Sequence, residues 1–447
     1  MKTSYQQARM SRDPRFDGTF FIAVKTTKIF CRSICPANLP QEKNVEYFQH
    51  AQQAMFAGFR PCLRCRPDSA PQSFPWEGVN TTVNRAMGLL RQHHQLSIEE
   101  IASKLGISSR YFRQLFQKHL GLSPKQYQLF DKILFAKRLL HQSAMPIEHV
   151  AQASGFASAR RLQHSFKKIT GLTPKQVRKN KDTSGHLLSL TLSFRPPFHW
   201  QHMRQFLALR AIDGIETVTQ HSYSRTFITN KEQGWFTATF KPGQHCFVVD
   251  IHLNNIEQLS SVLGNIQRIF DLNADTQVIQ GQLIKAGLPE ESLHHGLRLP
   301  GVWDTFEAGC RAILGQQISV KAAITLLSLL TTELGEKKES RCYFPTPEAI
   351  ANNPLEFLKI PNSRKNTLRT FAQYYLDHPN AELNEWINIK GIGPWTIAYA
   401  NMRGLSAPDM WLDTDLIIKK QLAKYNINAT QAIPWRSYLT FQLWSMA

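Results

Sequence analysis

Two groups of residues in this sequence have the types and spacing to do chemistry. Near one end, Cys31 and Cys35 form a Cys-x3-Cys pair and Cys62 and Cys65 a Cys-x2-Cys pair, with 26 residues between the pairs. Four thiolates offered from two tight loops close a tetrahedral Zn²⁺ shell without a histidine, so Cys31, Cys35, Cys62 and Cys65 are expected to hold one zinc per chain. Spacing alone would make this a structural zinc ribbon. Near the other end, Lys390-Gly391-Ile392-Gly393-Pro394-Trp395-Thr396 reads as a Gly-x-Gly turn opening a helix. Main-chain N–H groups and the positive end of a helix dipole make such a turn a natural phosphate seat, although an ordinary helical hairpin has the same pattern. Some twenty residues on, Asp415 stands among apolar neighbours, where a carboxylate either caps a helix or does chemistry.

The elements that must position these groups follow from length, charge and repetition. With 447 residues the chain has room for three or four domains. Seven cysteines, an odd number with four of them clustered, fit a metal site better than a disulfide framework. No stretch approaches the length of a membrane span and the first ten residues are polar, so a cytoplasmic chain with no membrane partner is expected. Residues 1–180 carry 28 Lys+Arg against 10 Asp+Glu, whereas residues 181–447 carry 25 against 23. The first part therefore advertises a polyanion partner and the second does not.

That basic part contains an internal repeat. The run Leu96–Ser108 recurs 49 residues later as Met145–Ala157, and both copies end alike, in Gly121-Leu122-Ser123-Pro124-Lys125-Gln126 and Gly171-Leu172-Thr173-Pro174-Lys175-Gln176. Gly106 and Gly155 fall where a turn between two helices needs them. The segments Ser109–His119 and Ser158–Lys168 are then recognition-helix candidates, carrying Arg110 and Arg113 in one and Arg160 and Arg161 in the other. Two basic helix-turn-helix units in tandem suit adjacent major-groove segments. This pattern, over residues 80–180, resembles the AraC-type DNA-binding domain.

The residues around the cysteines carry a second resemblance. Asp13-Pro14-Arg15-Phe16-Asp17-Gly18-Thr19-Phe20-Phe21, Lys28-Ile29-Phe30-Cys31-Arg32 and Ala57-Gly58-Phe59-Arg60-Pro61-Cys62 resemble the N-terminal domain of the Ada family. The resemblance implies that Cys31 accepts a methyl group from a methylated DNA phosphate, while Cys35, Cys62 and Cys65 complete the zinc shell. A zinc-bound thiolate remains a nucleophile at neutral pH. Conversion of Cys31 to a thioether removes one negative charge beside DNA, so the centre can act as acceptor and as switch. The Pro-Cys-His-Arg run of an O6-methylguanine acceptor is not in the sequence, and Cys246, Cys310 and Cys342 read as core residues.

Beyond a polar linker at Lys181–Gly185, strands are expected at Leu187–Phe194, Trp235–Phe240 and Cys246–Ile251, with a helix at Gln205–Ile212. From Leu299 the pattern is all-helical. Arg195-Pro196-Pro197-Phe198-His199-Trp200, Leu314-Gly315-Gln316-Gln317-Ile318-Ser319 and the Lys390–Lys420 stretch resemble AlkA-type DNA-3-methyladenine glycosylases of the helix-hairpin-helix superfamily. That resemblance makes Asp415 the catalytic aspartate, with Asp413 its nearest competitor. It makes Gly391, Gly393 and Thr396 the DNA-binding hairpin, and Trp395, Tyr399, Trp444 and Phe198 the aromatic walls of the base pocket. Gln316 and Gln317 then belong to the loop that wedges into the duplex. An alkylated purine carries positive charge that aromatic faces attract, and Asp415 can stabilise an oxocarbenium-like sugar. Trp395 stands where bifunctional relatives have a lysine nucleophile, and no cysteine follows Cys342 to hold an Fe–S cluster, so a monofunctional enzyme is expected.

The expectations are those of a multidomain α and α+β chain: a small zinc-binding α/β domain over 1–72, an all-α AraC-type double helix-turn-helix over 80–180, a small α+β domain over 186–297 and an all-α helix-hairpin-helix glycosylase domain over 298–447. The expected function is methyl acceptance from DNA methylphosphotriesters at Cys31, switching on transcription, together with hydrolysis of the N-glycosidic bond of alkylated bases. The alternative is a transcriptional regulator whose glycosylase-like half is an inactive damage sensor. Double-stranded DNA at alkylated sites and at promoters, and RNA polymerase, are the expected partners, in a bacterial nucleoid setting.

Overall fold

The computed structural model describes residues 2–67, 81–92, 96–178, 188–230, 232–338, 341–379 and 381–446, and the linkers expected at Asp68–Trp76 and Lys181–Gly185 lie outside them. The residues pack as two compact units. One consists of Met1–Pro196, Lys241–Gly264 and Leu272–Ala274, the other of Pro197–Phe240, Asn265–Asp271 and Asp275–Ala447.

The first unit opens with the helix Lys2–Ser11 and a four-stranded sheet in the order Val45–Phe48, Phe21–Val24, Ile29–Cys31, Arg60–Pro61. The first three strands pair antiparallel and the last joins in parallel, with Phe30 opposite Pro61. This register does the work for the cysteines. Cys31 ends one strand and Cys62 follows its parallel neighbour, and the Cys62 N–H donates to the Phe30 carbonyl at 2.9 Å. Buried Phe20 and Ile22 pack with Tyr5, Phe16 and Tyr47.

The basic repeat folds as two helix-turn-helix units joined by the long helix Pro124–Gln142. The second helices are Ser109–Leu120 and Ala159–Thr170, each with a serine cap whose hydroxyl accepts a main-chain N–H, Ser108 from Tyr111 and Ser158 from Arg161. Their buried positions repeat with a spacing of 50 residues: Phe112, Phe116 and Leu120 in one, Leu162, Phe166 and Thr170 in the other. The 3.6-residue period thus leaves Arg110 and Arg113, and Arg160 and Arg161, on exposed faces. The same unit holds the antiparallel strands Leu188–Ser193 and Cys246–Leu253, with Leu192 opposite Phe247.

In the second unit a meander of Glu216–Val218, Ser222–Thr229 and Glu232–Lys241 accompanies a helical body. The core of that body gathers Phe306, Phe371, Trp386 and Ile392 around the helix Thr305–Gly315. A buried ion network fixes this helix. Arg311 meets Glu216 at 2.5 Å and Glu307 at 2.8 Å, and Arg225 meets Glu307 at 2.7 Å. Burial pushes the Glu307 carboxyl up, but Arg225 and Arg311 outweigh it and hold it at about 2. With both partners present the buried charges are compensated; removing one would strand the others.

Two local expectations differ from the structure. The helix expected at Gln205–Ile212 runs instead from Trp200 to Ala208, because His199 Nδ1 accepts the His202 N–H and starts the helix earlier. The region after Leu299 is not wholly helical, since Lys337–Lys338 and Arg341–Cys342 pair as short strands. The apolar residues that follow Asp415 differ in burial, Leu416 and Ile417 being 75% and 40% exposed and Ile418 buried.

Candidate metal centre and candidate active site

The four cysteine sulfurs lie within 4.8 Å of one another. Four convergent thiols with no carboxylate or imidazole among them are the donor set of a structural-type zinc site, and they fit one Zn²⁺. The four are not equivalent. Cys35, Cys62 and Cys65 are buried, while Cys31 is half-exposed. Main-chain N–H groups reach the buried three: Ala37 to Cys35, Cys65 to Cys62, and Arg32 to Cys65 Sγ at 3.4 Å. No main-chain N–H donates to Cys31 Sγ among the described residues. A hydrogen bond to a thiolate withdraws electron density and quiets it, so the sulfur with the best access is also the one left most reactive.

The loops are braced from several sides. Arg32 pairs with Asp17 through two hydrogen bonds, one at 2.8 Å to Oδ1, and donates from Nη1 to the Cys65 carbonyl at 3.2 Å. Arg195 Nε donates to the Asp17 carbonyl at 2.6 Å. The centre also rests on the long helix of the helix-turn-helix pair: Lys137 Nζ donates to the Cys62 carbonyl at 3.4 Å and Gln52 to Asp131 at 3.1 Å. None of these braces was expected from the sequence, because each depends on a partner distant along the chain.

In the second unit, Asp415 caps the helix Leu416–Lys424, its Oδ1 accepting from the N–H groups of Ile417 at 2.9 Å and Ile418 at 3.2 Å. The Trp444 indole N–H donates to the same oxygen at 3.3 Å. Three donors therefore lock Oδ1, while Oδ2 takes no hydrogen bond among the described residues. The cap fixes the orientation of the carboxylate, so its second oxygen is held in place without an internal partner. Asp413 is exposed and lacks such a frame.

The aromatic side chains form a connected wall. Trp395 and Tyr399 stack with centroids 5.2 Å apart and 19° between planes. Arg403, one further turn along the same helix, donates to the Tyr399 hydroxyl at 3.0 Å and lies over the Phe206 ring. Phe206 is 5.2 Å from Phe441, which is 5.1 Å from Trp444. Burial pushes the Tyr399 phenol up, but Arg403, Arg210 and Arg311 outweigh it and its pKa is lowered. Trp395, Tyr399, Trp444 and Asp415 are all half-buried. Phe198 packs 5.7 Å from Phe240 and under the Arg298 guanidinium. Arg403, Phe206 and Phe441 were missed by the sequence reading. Arg403 was legible, since Trp395, Tyr399 and Arg403 repeat at i, i+4, i+8 on one helix face.

The hairpin shows different roles for its expected residues. Gly391 has φ +93° and a Cβ there would fall 2.2 Å from Thr367 Oγ1. Gly393 has an ordinary φ of −116° and open space around it. Thr396 is buried, and Gln316 Nε2 bridges its hydroxyl at 3.2 Å and the Gly391 carbonyl at 3.0 Å. Thr396 and Gln316 are thus struts of the hairpin, while Gln317 stands exposed at the loop tip with φ +58°. Gly391→Ala is expected to destabilise the second unit by about 1–3 kcal/mol, and Gly393→Ala to cost under about 1 kcal/mol. Paired thermal unfolding measurements check this; equal shifts would contradict it.

Residues 4–68 match the metal binding domain of Ada, residues 101–180 a helix-turn-helix domain and residues 189–304 the AlkA N-terminal domain. DNA-3-methyladenine glycosylase 2 of Escherichia coli is 32% identical in an alignment covering 57% of this chain and 96% of that protein. The chain belongs to that glycosylase family. It also belongs to the Ada family: the bifunctional transcriptional activator/DNA repair enzyme AdaA of Bacillus subtilis is 31% identical over 38% of this chain and 80% of its own length. A Mycobacterium tuberculosis protein named "Probable bifunctional transcriptional activator/DNA repair enzyme AlkA" is 29% identical across 98% of this chain and 95% of its own length. Among the described residues no helix is long and apolar enough to cross a membrane.

Proposed function

We propose that the chain is a two-activity alkylation-repair protein, with domains at 1–72, 80–180, 186–297 and 298–447. One chain holds both a four-thiolate cluster with a single accessible sulfur and a helix-capping aspartate beside an aromatic wall, and this pairing carries the reading. In the first activity the Cys31 sulfur attacks the methyl carbon of a DNA methylphosphotriester. The S–C bond forms, the C–O bond breaks, and its electron pair stays on the phosphate oxygen, leaving a diester anion and a Cys31 thioether. Bound zinc would keep the sulfurs as thiolates at neutral pH. Asp17, Arg32 and the N–H donors hold the loops and direct reactivity to Cys31. The chemistry is stoichiometric, since nothing in it regenerates the thiolate.

In the second activity an alkylated base such as 3-methyladenine leaves the stack, and its positive charge is met by Trp395, Tyr399 and Trp444. Phe198 would line the same pocket. As the glycosidic bond breaks, the free Asp415 Oδ2 offsets the charge on the sugar, and water completes the hydrolysis. Gly391 and Gly393 would seat a phosphate of the duplex, and Gln317 would enter the stack. Arg110, Arg113, Arg160 and Arg161 would meet promoter DNA, where transcriptional activation brings RNA polymerase as partner; a cytoplasmic, nucleoid-bound protein follows. The test is incubation of the zinc-loaded chain with methylated duplex, following Cys31 by mass spectrometry and released base by chromatography in one sample. Methylated Cys31 together with free alkylated purine and an uncut abasic strand is expected. Absence of base release would leave the regulator with an inactive sensor.

A further inference from the structure

A cleft of about 250 Å³ lies beside the four-thiolate centre. One wall comes from the cysteine loops, with Arg32 next to Cys31 and Arg66 next to Cys65. The other comes from the strand pair Leu188–Ser193 and Cys246–Leu253, with Thr191, Ser193 and, at the turn before the second strand, Gln244 and His245. The cleft is therefore built jointly by the metal-binding segment and by a segment of the AlkA-type domain. Its charges are unequal. Arg32 is committed to Asp17 and to the Cys65 carbonyl. Arg66 is half-buried and has no ion-pair partner among the described residues.

A guanidinium without an ion-pair partner among the described residues, in a cleft lined also by Thr191, Ser193, Gln244 and an Asp17 already paired with Arg32, is a donor set for a singly charged phosphate, which a guanidinium can grip with two parallel N–H bonds. The volume lies below the roughly 300–1,000 Å³ of small-molecule pockets, enough for a phosphate and its nearest sugar atoms. A methylated phosphotriester is neutral and would draw nothing from Arg66. Its neighbours along the strand keep their charge.

We propose that this cleft seats a phosphodiester flanking the methylated phosphate that reaches Cys31, with Arg66 as the anchor. Resting on the methyl-acceptor reading, it makes the AlkA-type segment part of the substrate site for methyl transfer. Fixing the neighbouring phosphate sets the register of the strand against the Cys31 sulfur, where a small misplacement slows an in-line transfer severely.

The experiment uses the full zinc-loaded chain and a duplex carrying one methylphosphotriester, with Cys31 methylation followed in single turnover. Arg66→Gln is expected to slow transfer about tenfold, the equivalent of one charge-assisted contact. Arg66→Lys should recover part of the rate. Lys43→Gln, which removes the same charge from an exposed position, should change it less than about twofold. Ser193→Ala tests the opposite wall and is expected to slow transfer modestly with zinc content unchanged. A second readout is independent of transfer: inorganic phosphate should broaden its ³¹P signal with the wild type and not with Arg66→Gln. Equal slowing by Arg66→Gln and Lys43→Gln would overturn the site in favour of a general field effect. Phosphate binding lost in Arg66→Gln with transfer unchanged would make the cleft a seat for free phosphate only, overturning the DNA assignment. A wild type that takes no methyl at all would overturn the acceptor reading and this proposal with it.

Discussion

Asp415→Asn is expected to lower the rate of alkylated-base release by at least about 10²–10³-fold while leaving the fold intact. Asparagine keeps an oxygen where Asp415 Oδ1 accepts from Ile417, Ile418 and the Trp444 indole. The helix cap survives, for Asn and Asp cap about equally well. What disappears is the negative charge on the oxygen that has no internal partner, and that charge matters only as the sugar becomes cationic. Duplex binding and Cys31 methylation should therefore match wild type, with thermal stability changed by less than about 1 kcal/mol. Asp413→Asn, at an exposed position, should stay within about twofold of wild-type release. Equal release by Asp415→Asn and wild type would remove Asp415 from the chemistry, and no release by either would favour the inactive sensor.

The second large effect concerns the other centre. Methylation of Cys31 in the wild type is expected to tighten promoter DNA binding roughly tenfold at low salt. One formal negative charge is removed beside a polyanion, and charges in near contact at a protein surface interact by about 1–4 kcal/mol. The gain should shrink as salt rises, because the phosphates release fewer counterions and the remaining field is screened. Cys31→Ala should show neither methyl uptake nor any change of affinity after exposure to methylated DNA. It retains the three buried, hydrogen-bonded cysteines, so the loops should stay folded with weakened zinc affinity. The structure gives the charge change a short route to the DNA-binding helices. The Cys62 carbonyl accepts from Lys137, and Gln52, in the helix Ala51–Phe56 between the two cysteine pairs, donates to Asp131, both on the helix that joins the two helix-turn-helix units. Unchanged affinity after methylation would reduce the basic repeat to a tether.

The sequence by itself determined the parts whose information is local. Thiol spacing set the metal and its four ligands. The internal repeat and its turn glycines, Gly106 and Gly155, set both helix-turn-helix units. The type and order of residues around Gly391 and Asp415 set the hairpin and its carboxylate. Tertiary structure decided what depends on partners far apart in the chain. Only packing shows that three N–H groups quiet three thiolates and leave Cys31 accessible, that Gly391 must be glycine because Thr367 crowds it, and that Gly393 need not be. Only packing ties Trp395 to Trp444 through Arg403, Phe206 and Phe441, and sets Arg66 unpaired opposite Ser193. The reason is physical. Periodicity and capping are carried by neighbours within a few residues, whereas the direction of a hydrogen bond or the sealing of a charge is fixed only when remote segments close on one another.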